Sequence, residues 1–197
     1  MSDLDTIAWY EAHAQRYFGK TCGAANRHLD PFLDRLTPGA RILELGCGAG
    51  QDAAHMAARG FSVDPTDATP AMVLLAREIS RVPARQLRFD ELDAEAAYGA
   101  TWASACLIHI ARADFPGVLR RVLRALAPGG WHFANFKLGG GEGRDPLGHL
   151  HNFPDEEWLA DGYRDANFVI EDRETYRGSG ADGIVRNWHA LTVRKPD

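Results

Sequence analysis

The sequence is short of several things, and each shortage closes a class of explanation. Three cysteines in 197 residues, Cys22, Cys47 and Cys106, cannot all pair with one another, and their spacing makes no metal knuckle. A disulfide-built scaffold is excluded. No apolar run approaches the roughly 20 residues that cross a bilayer. The opening Met1-Ser2-Asp3-Leu4-Asp5 is acidic where a signal peptide would be basic. The expectation is a cytoplasmic chain with no membrane partner. Basic excess is missing as well: the net charge is −5, which gives the chain as a whole no attraction to nucleic acid. Neither an internal repeat nor a linker is visible, so 1–197 reads as a single domain large enough for a sheet covered by helices.

What is present is organised around Ala40-Arg41-Ile42-Leu43-Glu44-Leu45-Gly46-Cys47-Gly48-Ala49-Gly50. Ile42, Leu43 and Leu45 form the short apolar run of a buried parallel strand. Gly46, Gly48 and Gly50 let the backbone turn sharply and approach a ligand where a Cβ would clash. Ala53, Ala54, Met56, Ala57 and Ala58 then favour a helix that Arg59-Gly60 stops. Strand, glycine loop and helix open a doubly wound α/β domain that binds a nucleotide. A dinucleotide fingerprint needs its third glycine at position 51, which is Gln51.

The pattern that stands there, Glu44-x-Gly46-x-Gly48-x-Gly50, resembles motif I of the class I S-adenosylmethionine (SAM) dependent methyltransferases. SAM joins adenosine to an amino acid and not to a pyrophosphate, so it has less need of a helix N-terminus aimed at phosphate. Three further stretches carry the resemblance. Val63-x-x-x-Asp67-x-Thr69-Pro70-x-Met72 is similar to the family's V-x-x-x-D-x-S-x-x-M. The stretch from Tyr98 through Trp102 and His109 to Pro128-Gly129-Gly130 is similar to Y-D-x-V-W-A-x-x-S-L-L-H-V followed by L-x-P-G-G, with Gly99 in place of the usual Asp. Phe136-Lys137-x-Gly139-x-Gly141-Glu142 resembles small bacterial enzymes labelled tellurite-resistance-like.

The resemblance implies a Rossmann-like seven-stranded mixed sheet of order 3-2-1-4-5-7-6 with helices on both faces. It also implies SAM as cofactor, S-adenosylhomocysteine (SAH) as product and direct SN2 transfer of the methyl to N, O or S of a small acceptor. An acid about twenty residues past the glycine loop suits a ribose hydroxyl pair. Asp64 and Asp67 compete for that role, and Asp67, at the strand's end with Ala68 beside it, is preferred. Glu91, Leu92 and Asp93, after strand three, are expected either beside adenine or in a solvated acidic loop, and Cys106, after strand four, beside the cofactor.

An N-terminal helical segment, 1–36, places Trp9, Tyr10, Tyr17 and Phe18 ahead of the fold. They serve either to pin the helix on the sheet or to close over the sulfonium by cation–π attraction. Tyr10, Tyr17 and Thr21 are its polar candidates. A second helix is expected over Asn26 to Leu36, a third strand over Gln86 to Phe89 and a fourth over Thr101 to Ala105.

His109 falls past the carboxyl end of a central strand, where it either takes the acceptor's proton or orients the acceptor. Tyr17 and Lys137 join it as catalytic candidates. The glycine-rich stretch 138–153 is the candidate acceptor loop, with Glu142, Arg144, His149, His151 and Asn152 as contacts or as a solvated loop. With no third ligand in register, no metal is expected at His149-x-His151. Monomer and homodimer are both compatible with the sequence. A SAM-binding protein without activity is the alternative reading. A nucleic-acid or protein methyltransferase is less favoured, because the chain is acidic and lacks an N-P-P-Y type motif after strand four.

Overall fold

In the computed structural model, which describes residues 2–21, 25–81, 83–180 and 183–197, the run after Ala40 is the central strand β1, Arg41–Leu45. Its residues alternate between two cores, as the two-residue period of a strand requires. Leu43 and Leu45 enter a layer with Leu107, Phe115, Leu119, Phe136 and Tyr163, while Ile42 enters the opposite layer with Phe32, Met56, Trp102 and Phe133. Both faces are therefore covered, which is the condition for a parallel strand of this composition.

The chain runs α1 (Leu4–Thr21), α2 (Leu29–Leu33), β1, α3 (Gln51–Ala58), β2 (Ser62–Asp67), α4 (Pro70–Ser80), β3 (Arg85–Gln86) and β4 (Tyr98–Ala103). It continues through α5 (Phe115–Ala125), β5 (Leu126–Lys137), β6 (Gly143–Arg144), β7 (Leu150–His151), α6 (Glu156–Asp165), β8 (Val169–Ser179) and β9 (Val185–Arg194). The main sheet has seven strands in the order β3-β2-β1-β4-β5-β9-β8, with β6 and β7 as a separate two-stranded sheet. That small hairpin differs from expectation in detail. Without it, the last two main-sheet strands count as sixth and seventh and the order is 3-2-1-4-5-7-6. In the main sheet β5 to β9 and β9 to β8 are antiparallel and the other pairs are parallel, while β6 and β7 pair antiparallel.

Several boundaries move for local reasons. Asp3 caps α1, its carboxylate accepting from the Thr6 N–H at 2.9 Å. The helix backbone runs on through Gly19 to Thr21. The second helix is only five residues long, Leu29–Leu33, with Leu29, Phe32 and Leu33 buried. Pro65 sits inside β2, but β3 pairs only with Thr66 and Asp67, so the missing N–H falls where that neighbour has ended. β3 itself shrinks to Arg85–Gln86 because the chain then bends into a 3-10 turn, Phe89–Glu91. β4 runs Tyr98–Ala103, earlier than expected, and β5 begins at Leu126 with a register slip across Pro128-Gly129-Gly130. Gly99 faces Ala40, and a Cβ there would stand 3.4 Å from the Ala40 Cβ, just ahead of β1.

Candidate active site

The carboxyl ends of β1, β2 and β4 open into two adjoining spaces. The smaller, about 120 Å³, lies over the glycine loop and is lined by Gly46, Gly48, Asp67, Ala68, Met72 and Cys106 among others. The larger, about 310 Å³, runs towards Lys137, His149, His151 and Trp188. Tyr10, Tyr17, Ala105 and His109 line both, so they form the wall the two spaces share.

The glycine loop is built by close approach. Gly46 has φ +65°, and a Cβ on it would come within 2.4 Å of the Cys106 Cβ, which no side chain survives unshifted. The Cys106 thiol donates to the Leu45 carbonyl at 3.0 Å, fixing the floor. Gly50, φ 85°, ends the loop at the start of α3 and does not line the cleft. Asp67 stands where β2 ends. Its carboxylate accepts from the Gly48 N–H at 3.0 Å and from the Thr69 N–H at 2.9 Å, which ties the loop to α4. Each oxygen keeps a second lone pair that a ribose hydroxyl can use. Burial raises the Asp67 pKa while the backbone donors oppose the rise. Glu44 lies beneath the loop, buried, with Oε2 unpartnered and its pKa pushed up by burial and by the charges of Asp52 and Asp67.

Two expected adenine contacts are not brought to this cleft. Leu92 turns into the core, and its carbonyl accepts from Arg121 at 2.9 Å. Glu91 folds back on its own 3-10 turn, accepting from the Arg88 N–H at 3.0 Å. Phe89, two residues earlier, lines the space instead, together with Ser2, Asp3 and Thr6 from the chain's start. Thr21 ends α1, and its side chain lies outside the described residues, as does Cys22.

At the shared wall, the His109 Nδ1 is 2.8 Å from the Leu150 carbonyl. A carbonyl only accepts, so Nδ1 carries the proton and Nε2 is left as an acceptor. The Tyr10 hydroxyl stands 3.4 Å from that Nε2. Burial pushes the His109 pKa down to about 3, with His151, His149 and Lys137 adding to the shift and the Leu150 carbonyl opposing it. The ring is therefore neutral at physiological pH. Ala105 beside it holds φ 52°, a strained value for a residue with a Cβ, and the buried Asn135 secures it by accepting from the Ala105 N–H at 2.6 Å. Tyr10 meets Tyr17 edge-on at 5.0 Å and stacks on His149 at 4.9 Å.

The expected acceptor loop is only partly a solvated loop. His149, His151 and Asn152 are buried, and Asp145, which the sequence reading passed over, joins the two histidines. Arg144 and Glu142 do not line the larger space. Arg144 pairs with Asp3 at 2.9 Å, and Glu142 accepts from the Arg112 N–H at 2.7 Å. Lys137 is 6% exposed, with its ammonium 5.7 Å from the Trp188 ring. Among the described residues no helix is long and apolar enough to cross a membrane.

A family model described as a methyltransferase domain matches residues 42–130. That segment holds the glycine loop, Asp67 and His109. Among solved structures, a SAM-dependent methyltransferase from Methanosarcina mazei is 18% identical and superposes with a TM-score of 0.77 over 84% of this chain and 97% of its own. The 1,6-didemethyltoxoflavin-N1-methyltransferase of Burkholderia thailandensis, solved with its substrate and SAH, is 24% identical with a TM-score of 0.78 over 98% of this chain and 88% of its own. A curated relative named Hemagglutinin 1, from Eikenella corrodens, is 26% identical over 139 residues. Those residues are 66% of this chain, which spans 46% of that relative's length. Residues 42–130 thus match a methyltransferase domain, and the fold around them is that of solved SAM-dependent methyltransferases.

Proposed function

We propose that this chain transfers the methyl group of SAM to a nitrogen, oxygen or sulfur of a small molecule. The observation that carries the reading is the wall of Tyr10, Tyr17 and His109 between the space over the glycine loop and the larger space beyond it. A cofactor in the first and an acceptor in the second would meet there. Gly46, Gly48 and Cys106 shape the cofactor turn, and Asp67 holds the ribose. Tyr10 and Tyr17 turn aromatic surface towards the sulfonium. The acceptor's lone pair forms the new bond to the methyl carbon as the sulfonium C–S bond breaks and its electron pair stays on sulfur. Alignment supplies much of the acceleration in such a displacement.

His109 then has a defined part. Its Nε2, which the Tyr10 hydroxyl approaches at 3.4 Å, accepts from the acceptor's N–H or O–H and so orients it. Neutrality spares the ring from repelling the cationic cofactor. Its low basicity makes it a better aligner than a proton abstractor, so the reading favours an acceptor that already carries a lone pair. Lys137 and Trp188, at the far end, suit an acceptor with a polar or anionic group and a flat body. The likeness of Phe136 to Glu142 to the tellurite-resistance-like enzymes supports a small acceptor without choosing one. A cleft of only about 310 Å³ and an acidic chain both speak against a nucleic-acid substrate.

The test is calorimetry of SAM and SAH on the purified protein, followed by labelled SAM with panels of amines, thiols and phenols. Micromolar binding of both and label transfer to one class are expected. No binding of either would withdraw the cofactor assignment. Binding without transfer to any class would leave the chain a SAM-binding protein.

A further inference from the structure

One cluster in the larger space is not used by methyl transfer as described. Asp145, His149 and His151 converge there, their donor atoms all lying within 4.8 Å of one another. The Asp145 Oδ2 is 3.2 Å from the His149 Nδ1 and 3.1 Å from the His151 Nε2. Donors sharing one ion at about 2.1 Å stand roughly 3.0–3.4 Å apart, so two of the three separations are already those of a coordination shell.

The arrangement is held from outside. The Asp145 Oδ1 is occupied by the Leu147 N–H at 2.9 Å and the His149 N–H at 3.0 Å, which aims Oδ2 at the rings. Tyr10 stacks on His149 at 4.9 Å and Phe153 on His151 at 4.9 Å, so packing sets both ring planes. The nitrogens turned away from Asp145, His149 Nε2 and His151 Nδ1, are buried without a partner, so each ring presents its Asp145-facing nitrogen, Nδ1 of His149 and Nε2 of His151, to a shared ion.

The geometry points to Asp145, His149 and His151 as a site for one divalent first-row transition metal ion, facing the acceptor space. Two imidazoles and one carboxylate suit zinc or ferrous iron, whereas magnesium and calcium want oxygen donors. Three protein ligands leave a position open towards the cavity, the form of a catalytic site and not of a closed structural one. An acceptor heteroatom bound there would be fixed beside His109, whose ring centre is 4.8 Å from that of His151. That role rests on the acceptor-space reading above; metal binding itself does not.

The experiment uses the full chain, stripped with chelator and titrated with Co²⁺ without SAM or acceptor, followed by d–d absorption, and with Zn²⁺ by calorimetry. One ion per chain at micromolar affinity or better is expected, with magnesium not competing. His151→Gln and Asp145→Asn should each weaken binding at least tenfold while SAH affinity stays as in the wild type. His55→Ala, at an exposed histidine paired with Asp30, should leave it unchanged. Failure of the wild type to bind Co²⁺ or Zn²⁺ overturns the site whatever the cofactor result. So does binding that survives both variants, or a thiolate charge-transfer band placing the ion on a cysteine.

Discussion

Substitution of His132 by glutamine should make the protein less sensitive to acid. His132 lies in β5, fully buried, with Nδ1 2.7 Å from the Thr101 hydroxyl and Nε2 3.0 Å from the Tyr163 hydroxyl. Burial pushes its pKa down to about 3, against a partial opposing effect from Thr101. An unfolded chain carries the ordinary value near 6.5. As pH falls below 6.5 the unfolded state takes up a proton that the native state refuses, so stability is lost from 6.5 downward until the native ring titrates near 3. Each pH unit in that window is worth about 1.36 kcal/mol, which gives about 2 kcal/mol lost from this residue between pH 7 and 5.

Other groups titrate over the same range. His109 and His151 push in the same direction, while Glu44, Asp52 and Asp67, with raised values, push against it. The total is therefore uninformative, and the variant isolates one residue. Glutamine retains a donor and an acceptor for Thr101 and Tyr163 but cannot titrate. Urea unfolding, followed by tryptophan fluorescence at pH 7 and pH 5, should show the variant losing about 2 kcal/mol less than the wild type. Equal losses in the two proteins, with equal m-values, would mean that the native ring protonates as freely as the unfolded one. The burial argument would then fail.

Three further outcomes concern the site. Asp67→Ala should raise the SAH dissociation constant at least ~100-fold, because two hydroxyls bonded to a carboxylate are worth about 1.5–3 kcal/mol each; unchanged calorimetric affinity removes the ribose assignment. Gly46→Ala should abolish SAH binding and lower the melting temperature, since its Cβ would stand 2.4 Å from that of Cys106 at φ +65°; a variant that binds and melts like the wild type would show that the loop yields. His109→Gln should lower turnover about 100-fold at unchanged SAH affinity, and the wild-type rate should show no ionisation of His109 above pH 5, as its pKa is about 3; loss of SAH binding in this variant would make the residue structural.

The central strand and its loop were legible because two independent signals coincide there: a run of buried aliphatics and glycines at positions where φ is positive. α5 was legible for a similar reason, with Val118, Leu119 and Val122 repeating on one buried face. β3 was not. Two residues cannot display a period, and the apolar Leu87 and Phe89 that suggested a longer strand belong to the bend after it. The adenine side was read on the same uncertain register: Leu92, expected there, is 2% exposed and packs in the core. Asp145 was invisible for another reason. Gly148, with φ +86°, reverses the chain between Asp145 and His149, so the pair meets through a turn that neither helical nor strand spacing encodes.

The sequence presents 1–36 and 138–153 as two unrelated accessories, but their contacts make them one closure. Arg144 reaches the Asp3 carboxylate at 2.9 Å, the Leu150 N–H donates to the Thr6 hydroxyl at 3.0 Å, and Tyr10 stacks on His149. Asp3 in turn caps α1 and lines the space over the glycine loop, and these hydrogen bonds hold its pKa at about 2 despite its burial. His109 completes the link, since its tautomer is fixed by the carbonyl of Leu150. The helix over the glycine loop and the hairpin beside the larger space are therefore joined by an ion pair, a hydrogen bond and a ring stack. Opening one for SAM would break Asp3–Arg144 and Thr6–Leu150, and with them the support that aims Nε2 at the shared wall. The acceptor nitrogen that His109 turns to the shared wall thus depends on a hairpin held by contacts between residues more than a hundred positions apart in the chain.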